Sequence, residues 1–425
     1  MLGRILNTFG TRFMSAVFQL LIAIIISNVL GPEGKGQQGL ILATTAYIIV
    51  FANLMGGGAI IYLVPRFSYY LIMIPAYVWA VLTSAVAFVV LQYSELVDQQ
   101  FMIHVCLLAL INTFTYVNST ILVGKEKIKT SNLVAFIQPL ITGLSLLLFY
   151  FILDQKSIDY YIIALYISFG ISFFVSLFYL FRIAETFRFT RITNYTEVTK
   201  QLVRYGILNQ LAHIFQLFSF RVSYYFLQSI YSEAEVGIYS NGTSIVESIW
   251  LISRSISLVQ YARIANTDDR KYSQKLTVSL SKASIMISIV LLTILIILPS
   301  GFWVFIFGEG FGAVGQVIRS LAPGVLFFNL ALIVGHYFSG TGQYHVNTIS
   351  SFAGMIISLI LFYIMIPVYG IIGAGLATSI SYTLTSCVVM LYFYRQSDLR
   401  PGDFMPVMKD FIEFRQMIRD TLKRS

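Results

Sequence analysis

Charged residues are scarce in this sequence. Only 11% of its 425 residues are Asp, Glu, Lys or Arg, and 57% are hydrophobic, whereas a soluble domain carries about 25% charged residues. Apolar runs of about 20 residues recur along the chain, which is the length of an α helix that crosses a bilayer. A membrane β-barrel would show short alternating segments instead. The composition therefore excludes an ordinary soluble domain and predicts an all-α integral membrane protein.

Cysteine is nearly absent as well. The two cysteines, Cys106 and Cys387, both lie inside apolar runs, and they do not form the spacing of a disulfide framework or a metal site. The sequence also lacks a phosphate-binding loop, a zinc-ligand spacing and paired carboxylates within one span. We therefore expect no enzyme activity, no metal and no cofactor, and we leave open a coupling to protons or sodium ions.

Twelve transmembrane helices are predicted, in two groups of six. The apolar spans cover about 9–30, 39–63, 69–92, 101–123, 131–153, 159–181, 204–230, 237–262, 282–307, 314–338, 345–367 and 371–394. The longest polar interruption, 182–203, separates the sixth span from the seventh. We predict two parallel six-helix lobes around a central cavity, because an even number of spans in each half makes the halves parallel repeats. The predicted boundaries are 1–198, 199–396 and a cytoplasmic tail over 397–425.

The basic residues fall on one side of this map. If the N terminus is cytoplasmic, 22 of the 28 Lys and Arg residues lie in cytoplasmic loops and tails, and only Lys35 and Lys156 lie in loops on the opposite side. Loops rich in Lys and Arg stay in the cytoplasm. We therefore expect both termini in the cytoplasm, and we interpret the net charge of +9 as a sign of orientation rather than of nucleic-acid binding.

The tail has its own pattern. Phe404, Val407, Phe411, Phe414, Ile418 and Leu422 recur at spacings of 4, 3, 4, 3 and 4, accompanied by Lys and Arg. This periodicity predicts an amphipathic helix, which lies on the cytoplasmic membrane surface or packs under the helix bundle.

Three short motifs point to one family. Residues 366–378 read IPVYGIIGAGLAT, residues 236–240 read VGIYS, and residues 30–33 read LGPE. Together they resemble the polysaccharide flippase branch of the multidrug/oligosaccharidyl-lipid/polysaccharide exporter superfamily. In that family an arginine precedes the VGIYS turn, as Arg221 does here, and an aspartate often follows it two residues later, where this chain has Ser223.

The resemblance implies a function. Such a protein would translocate undecaprenyl-pyrophosphate-linked oligosaccharide repeat units across a bacterial inner membrane, by alternating access, for O-antigen, capsule or exopolysaccharide assembly. Its partners would be the lipid-linked oligosaccharide, membrane lipids, and the polysaccharide polymerase and chain-length machinery. One alternative is a drug/cation antiporter of the same superfamily. A membrane polymerase or ligase is disfavoured, because every predicted outer loop is short.

Few ionisable residues lie inside the predicted spans, and five of them are candidate substrate-binding residues. They are Arg221, Arg254, Glu247, Arg12 and His336. A charge near the bilayer centre costs about 3 kcal/mol by insertion scales, so such a residue usually faces a partner or an aqueous cavity. Arginine suits a pyrophosphate, because its planar fork donates paired hydrogen bonds.

Each candidate also has a structural interpretation. Glu247 and Arg254 are seven residues apart, so they are predicted to share one helix face. Arg221 could then bind substrate beside them or only form a salt bridge with Glu247. Arg12 could snorkel to the cytoplasmic surface, and His336 could be a hydrogen-bonded packing residue. Glu247 is the only acid inside a predicted span.

Overall fold

The computed structural model describes residues 2–94, 96–183, 192–267, 269–397, 399 and 401–404. In this part of the chain all regular secondary structure is helical. The α helices are α1 (Leu2–Ala52), α2 (Gly57–Leu63), α3 (Tyr69–Tyr93), α4 (Gln99–Gly124), α5 (Ile128–Leu147), α6 (Ile158–Ile183), α7 (Ile192–Ile230), α8 (Glu233–Ser248), α9 (Trp250–Ala265), α10 (Arg270–Ile297), α11 (Ser300–Phe307), α12 (Val314–Gly340) and α13 (Tyr344–Arg395). A π-helical turn, Leu148–Ile152, extends α5. The predicted all-α fold is confirmed.

The longest helices, α1 and α13, are each two helices joined at a glycine. They contain 51 and 52 residues, which at about 1.5 Å per residue far exceeds the roughly 30 Å hydrocarbon layer. Gly31 has φ 69° and Gly370 has φ 55°. These left-handed conformations strain any residue with a Cβ atom, so glycine supplies the turn. The turn at Gly370 lies between the predicted eleventh and twelfth spans, and Pro367 lies within the helix.

The number of described helical segments that are long and apolar enough to cross a membrane is lower than the twelve predicted spans. Among the described residues, eight helical segments are long and apolar enough to cross a membrane by length and composition, and two of these, Gly10–Leu63 and Tyr344–Arg395, have double length. The predicted seventh span corresponds to α7, and the eighth is divided into α8 and α9 at Ile249. The ninth is divided too, because Pro299 follows the end of α10 and cannot donate a backbone hydrogen bond.

The chain forms two compact units, which we describe separately. Unit one comprises the described residues within Met1–Leu217, Tyr224–Ser240 and Trp303–Gly312. Unit two comprises those within Phe218–Ser223, Asn241–Phe302 and Ala313–Ser425. These divisions do not coincide with a boundary between residues 198 and 199, and the two six-helix lobes stay a prediction.

Each unit has its own packing. In unit one, α1, α4 and α6 bury a cluster that includes Ile26, Val105 and Tyr161. In unit two, α12 packs closely on the second half of α13, since a Cβ atom on Gly375 would lie only 1.9 Å from Ser320 Oγ. The motif at residues 366–378 therefore serves helix packing, as small residues do in membrane bundles.

The predicted tail helix cannot be compared with the structure. Its first residue, Phe404, is buried and its ring centroid lies 5.7 Å from that of Phe393 on α13. Residues 405–425 lie outside the described part of the chain, so the amphipathic helix stays a prediction.

Candidate charged and aromatic site

An ion pair joins α7 to α8 inside unit two. Arg221 Nη2 lies 3.0 Å from Glu247 Oε2, and Arg221 Nη1 donates to Glu247 Oε1 at 3.4 Å and to the Phe220 carbonyl oxygen at 3.1 Å. The side chain of Arg221 is 25% exposed and that of Glu247 is 11% exposed. Both terminal nitrogens of the Arg221 guanidinium group therefore donate to protein acceptors, and the Glu247 carboxylate is largely buried.

Tyr382 completes this cluster from α13. Its hydroxyl donates to Glu247 Oε1 at 2.6 Å, and its side chain is fully buried. Glu247 thus accepts hydrogen bonds from two side chains that lie far apart in sequence. A buried polar group needs hydrogen-bonding partners, and these two donors supply them for Glu247.

Four aromatic rings pack together next to the ion pair. We call Phe220, Trp250, Phe328 and Tyr382 the aromatic cluster. All six ring pairs are in contact, with centroid distances from 4.7 Å for Trp250–Phe328 to 5.5 Å for Phe220–Trp250 and Phe220–Phe328. Trp250 Nε1 donates to the Val325 carbonyl oxygen at 3.0 Å. The apolar rings lower the local dielectric constant, which strengthens the neighbouring ion pair.

Arg254 has a different environment. Its side chain is exposed, and its guanidinium carbon lies 5.9 Å from the centre of the Trp250 ring, close to the limit for a cation–π contact. Glu247 and Arg254 belong to two successive helices, because α8 ends at Ser248 and α9 begins at Trp250. The backbone N–H groups of Ile249 and Ile252 donate to carbonyl oxygens three residues back rather than four, as in a 3₁₀ turn. That Glu247 and Arg254 share one helix face stays a prediction.

The other two candidates lie apart from the ion pair. His336, on α12 of unit two, is half-buried, and its Nδ1 lies 2.6 Å from the Leu332 carbonyl oxygen. Arg12 belongs to unit one, where its side chain is exposed on α1. Of the five candidates, the structure therefore brings Arg221 and Glu247 together in an ion pair.

Sequence reasoning missed the aromatic cluster and Tyr382. The chain contains 27 tyrosines and 35 phenylalanines, so an aromatic residue carries little information by itself. The available signal was the isolated acid. A buried carboxylate needs hydrogen-bond donors, and Tyr382 lies four residues after the glycine-rich motif at 366–378, on the same helix.

Glu233 and Glu235 begin α8 outside the predicted spans. Burial raises the pKa of both carboxyl groups. For Glu233, a hydrogen bond from Gln37 lowers the pKa, and the negative charges of Asp98 and Glu33 raise it. This part of unit one therefore has a modest excess of negative charge that disfavours ionised Glu233.

Known proteins resemble the chain in sequence and in fold. No protein-family model matches it. It is 28% identical to the uncharacterized membrane protein YabM of Bacillus subtilis (strain 168) over 215 residues, which are 48% of this chain and 40% of that protein. It is 22% identical to the capsular polysaccharide biosynthesis protein CapF of Staphylococcus aureus over 401 residues, which are 91% of this chain and 98% of that protein.

Two solved structures share its architecture. A multidrug resistance MATE family transporter of the MOP superfamily, in an inward-facing conformation, superposes with a TM-score of 0.73 at 15% identity, covering 92% of this chain and 98% of that chain. The lipid II flippase MurJ, in an inward closed conformation, superposes with a TM-score of 0.70 at 15% identity, covering 93% and 88%. The chain is therefore an all-helical, multi-pass membrane protein whose fold is like that of this MATE transporter and of MurJ, and it is distantly similar in sequence to CapF and YabM.

Proposed function

We propose that this protein translocates an undecaprenyl-pyrophosphate-linked oligosaccharide across a bacterial inner membrane for capsule, O-antigen or exopolysaccharide assembly. The motifs at residues 30–33, 236–240 and 366–378 support this proposal. So does the similarity to CapF, which extends over 98% of that protein's length. Transport would proceed by alternating access, with both termini in the cytoplasm and with the polymerase and chain-length machinery as later partners.

In this proposal Arg254 is the main contact for the diphosphate. The observation that carries it is the contrast between the two arginines of unit two: the fork of Arg221 is directed at Glu247, whereas Arg254 is exposed. A guanidinium group donates strong, paired hydrogen bonds to phosphate oxygens. His336 on α12 would line the same site, and Arg12 in unit one would be a separate contact for phosphate groups of the substrate or of lipids.

Arg221 has a supporting role in the same proposal. A carboxylate without a partner near the substrate would repel a diphosphate. By pairing with Glu247 at 3.0 Å, Arg221 neutralises the charge of this residue and removes that repulsion. The ion pair would therefore permit anion binding without itself touching the anion.

The test is complementation of a strain that lacks the gene. We expect Arg254→Ala to reduce surface polysaccharide about 10-fold or more at normal membrane abundance, since a charge-assisted hydrogen bond contributes on the order of 1.5–3 kcal/mol. Arg254→Lys should retain partial function, because an ammonium group lacks the planar fork. Arg319→Ala is the matched control, since Arg319 is also exposed and also in unit two. Equal activity of Arg254→Ala and wild type would reject this site.

A drug/cation antiporter is the second candidate, and the aromatic cluster is the observation that favours it. Organic cations bind aromatic faces and carboxylates, and Glu247 lies beside four packed rings. An antiporter should protect cells from cationic dyes such as ethidium, and that protection should disappear in Glu247→Gln. A flippase should restore surface polysaccharide and leave dye resistance unchanged.

A further inference from the structure

A buried polar seam joins three helices of unit two. Seven side chains form this seam, and each is at most 1% exposed: Ser253, Ser257 and Gln260 on α9, Thr277, Ser281 and Ser284 on α10, and Asn329 on α12. Within α9 and within α10 the spacings are three or four residues, which places the side chains on one face of each helix. Polar groups thus line an interface where apolar packing would be expected.

One end of the seam is fully hydrogen-bonded. Ser253 Oγ lies 2.6 Å from Ser284 Oγ and donates to Asn329 Oδ1. Asn329 Nδ2 donates to the Val325 carbonyl oxygen at 3.1 Å. Protein groups alone therefore satisfy the hydroxyls and the amide at this end.

The other end is different. Gln260 Nε2 donates to Thr277 Oγ1 at 2.9 Å, which directs the glutamine amide into the α9–α10 interface. In the described part of the chain, Gln260 Oε1 and Ser281 Oγ are buried and have no hydrogen-bonding partner. Ser281 follows Thr277 by one helical turn, so both orphan atoms belong to the same stretch of the interface.

Buried polar atoms without a hydrogen-bonding partner, such as Gln260 Oε1 and Ser281 Oγ, indicate a bound ligand. Buried polar atoms in folded proteins are nearly always bonded to protein or to ordered water, because an unpaired one is destabilising. A metal cation or an ammonium group would need a counter-charge in a buried site, and all seven side chains of the seam are neutral. Water, which both donates and accepts, matches a carbonyl oxygen and a hydroxyl.

We propose that the seam binds ordered water between Gln260 and Ser281. Water bridges the two helices without fixing one direct side-chain pair. α9 and α10 can then shift against each other while their buried polar groups stay hydrogen-bonded. The α12–α13 contact at Gly375 has no such tolerance, because backbone and side chain meet there directly. This inference is independent of the substrate.

Thermal unfolding of the full-length protein in detergent provides the first test. If the seam is hydrated, Ser281→Ala removes a hydrogen-bonding partner of the water and lowers the melting temperature by about 2 °C or more, as expected for a lost hydrogen bond. If the seam is dry, the same change removes an unsatisfied hydroxyl and raises the melting temperature. Ser358→Ala is the matched control for the loss of a hydroxyl that has a protein partner. Ser358 is equally buried but donates to the Met355 carbonyl oxygen at 2.7 Å.

A high-resolution map of the wild-type protein provides the second test and needs no variant. We expect a density peak within hydrogen-bonding distance of both Gln260 Oε1 and Ser281 Oγ. The peak should persist when sodium is replaced by potassium in the buffer. A peak that requires sodium, or the absence of a peak together with a stabilised Ser281→Ala protein, would overturn the proposal.

Discussion

The ion pair between Arg221 and Glu247 leads to the sharpest prediction. Among the described residues of this cluster, Arg221→Ala leaves Glu247, which is 11% exposed, with Tyr382 as its side-chain hydrogen-bond donor. Removing one partner of a buried pair costs about 3–5 kcal/mol. Because the side chain of Arg221 is 25% exposed, water can replace part of the lost interaction. We therefore expect Arg221→Ala to lower the free energy of unfolding by about 3 kcal/mol.

The double variant Arg221→Ala/Glu247→Ala should be more stable than Arg221→Ala alone. It loses packing but leaves no unpaired carboxylate, so we expect a loss of only about 1 kcal/mol. The difference between the single and double variants, about 2 kcal/mol, corresponds to roughly 4–8 °C in melting temperature. The control Tyr382→Phe keeps the aromatic cluster and removes one donor, and should cost about 1.5 kcal/mol.

The assay follows a fluorescent fusion protein through heating and size-exclusion chromatography, and scores membrane abundance and surface polysaccharide separately. A structural pair predicts that abundance and transport fall together in Arg221→Ala and recover together in the double variant. Two results would refute this reasoning. One is a double variant whose loss of unfolding free energy equals the sum of the losses in Arg221→Ala and in Glu247→Ala. The other is an Arg221→Ala protein with normal membrane abundance and no transport, which would indicate that Arg221 binds the substrate.

Three further predictions concern topology, pH and packing. Single cysteines at Asp98 and Lys271, in a background without native cysteines, should be labelled from opposite sides of the membrane; labelling from one side would contradict the predicted orientation. Burial raises the pKa of Glu233, so its ionisation destabilises the folded state as pH rises through that pKa. Glu233→Gln should therefore raise the melting temperature at pH 7 and change it less at pH 4, and an equal change at both would contradict the shift. Gly375→Ala should lower the free energy of unfolding by about 1–3 kcal/mol through overpacking. Adding Ser320→Gly should restore stability, because Ser320 is the side chain that a new Cβ atom would meet. No recovery would show that another contact limits the approach of the two helices.

The membrane class and most helices could be predicted from the sequence, because their causes are local. A run of about 20 apolar residues must form a helix in a bilayer, since its backbone polar groups have no other partners there. Spans three to six and ten agree with α3 to α6 and α12 to within three residues at each end, when the π turn after α5 is included. The turn at Gly370 and the close packing at Gly375 were also foreseeable, because glycine is the residue that both situations require.

The candidate site was decided by tertiary structure. Glu247 is 26 residues from Arg221 and 135 residues from Tyr382, and no helical period relates residues at such separations. Helical periodicity related Glu247 to Arg254 and gave no information about Arg221 or Tyr382, the two side chains that donate to it. The break between α8 and α9 at Ile249 was not predicted from the periodicity either. The seam at Gln260 and Ser281 depends in the same way on how α9 and α10 meet, because only burial turns an ordinary polar side chain into one that needs a partner.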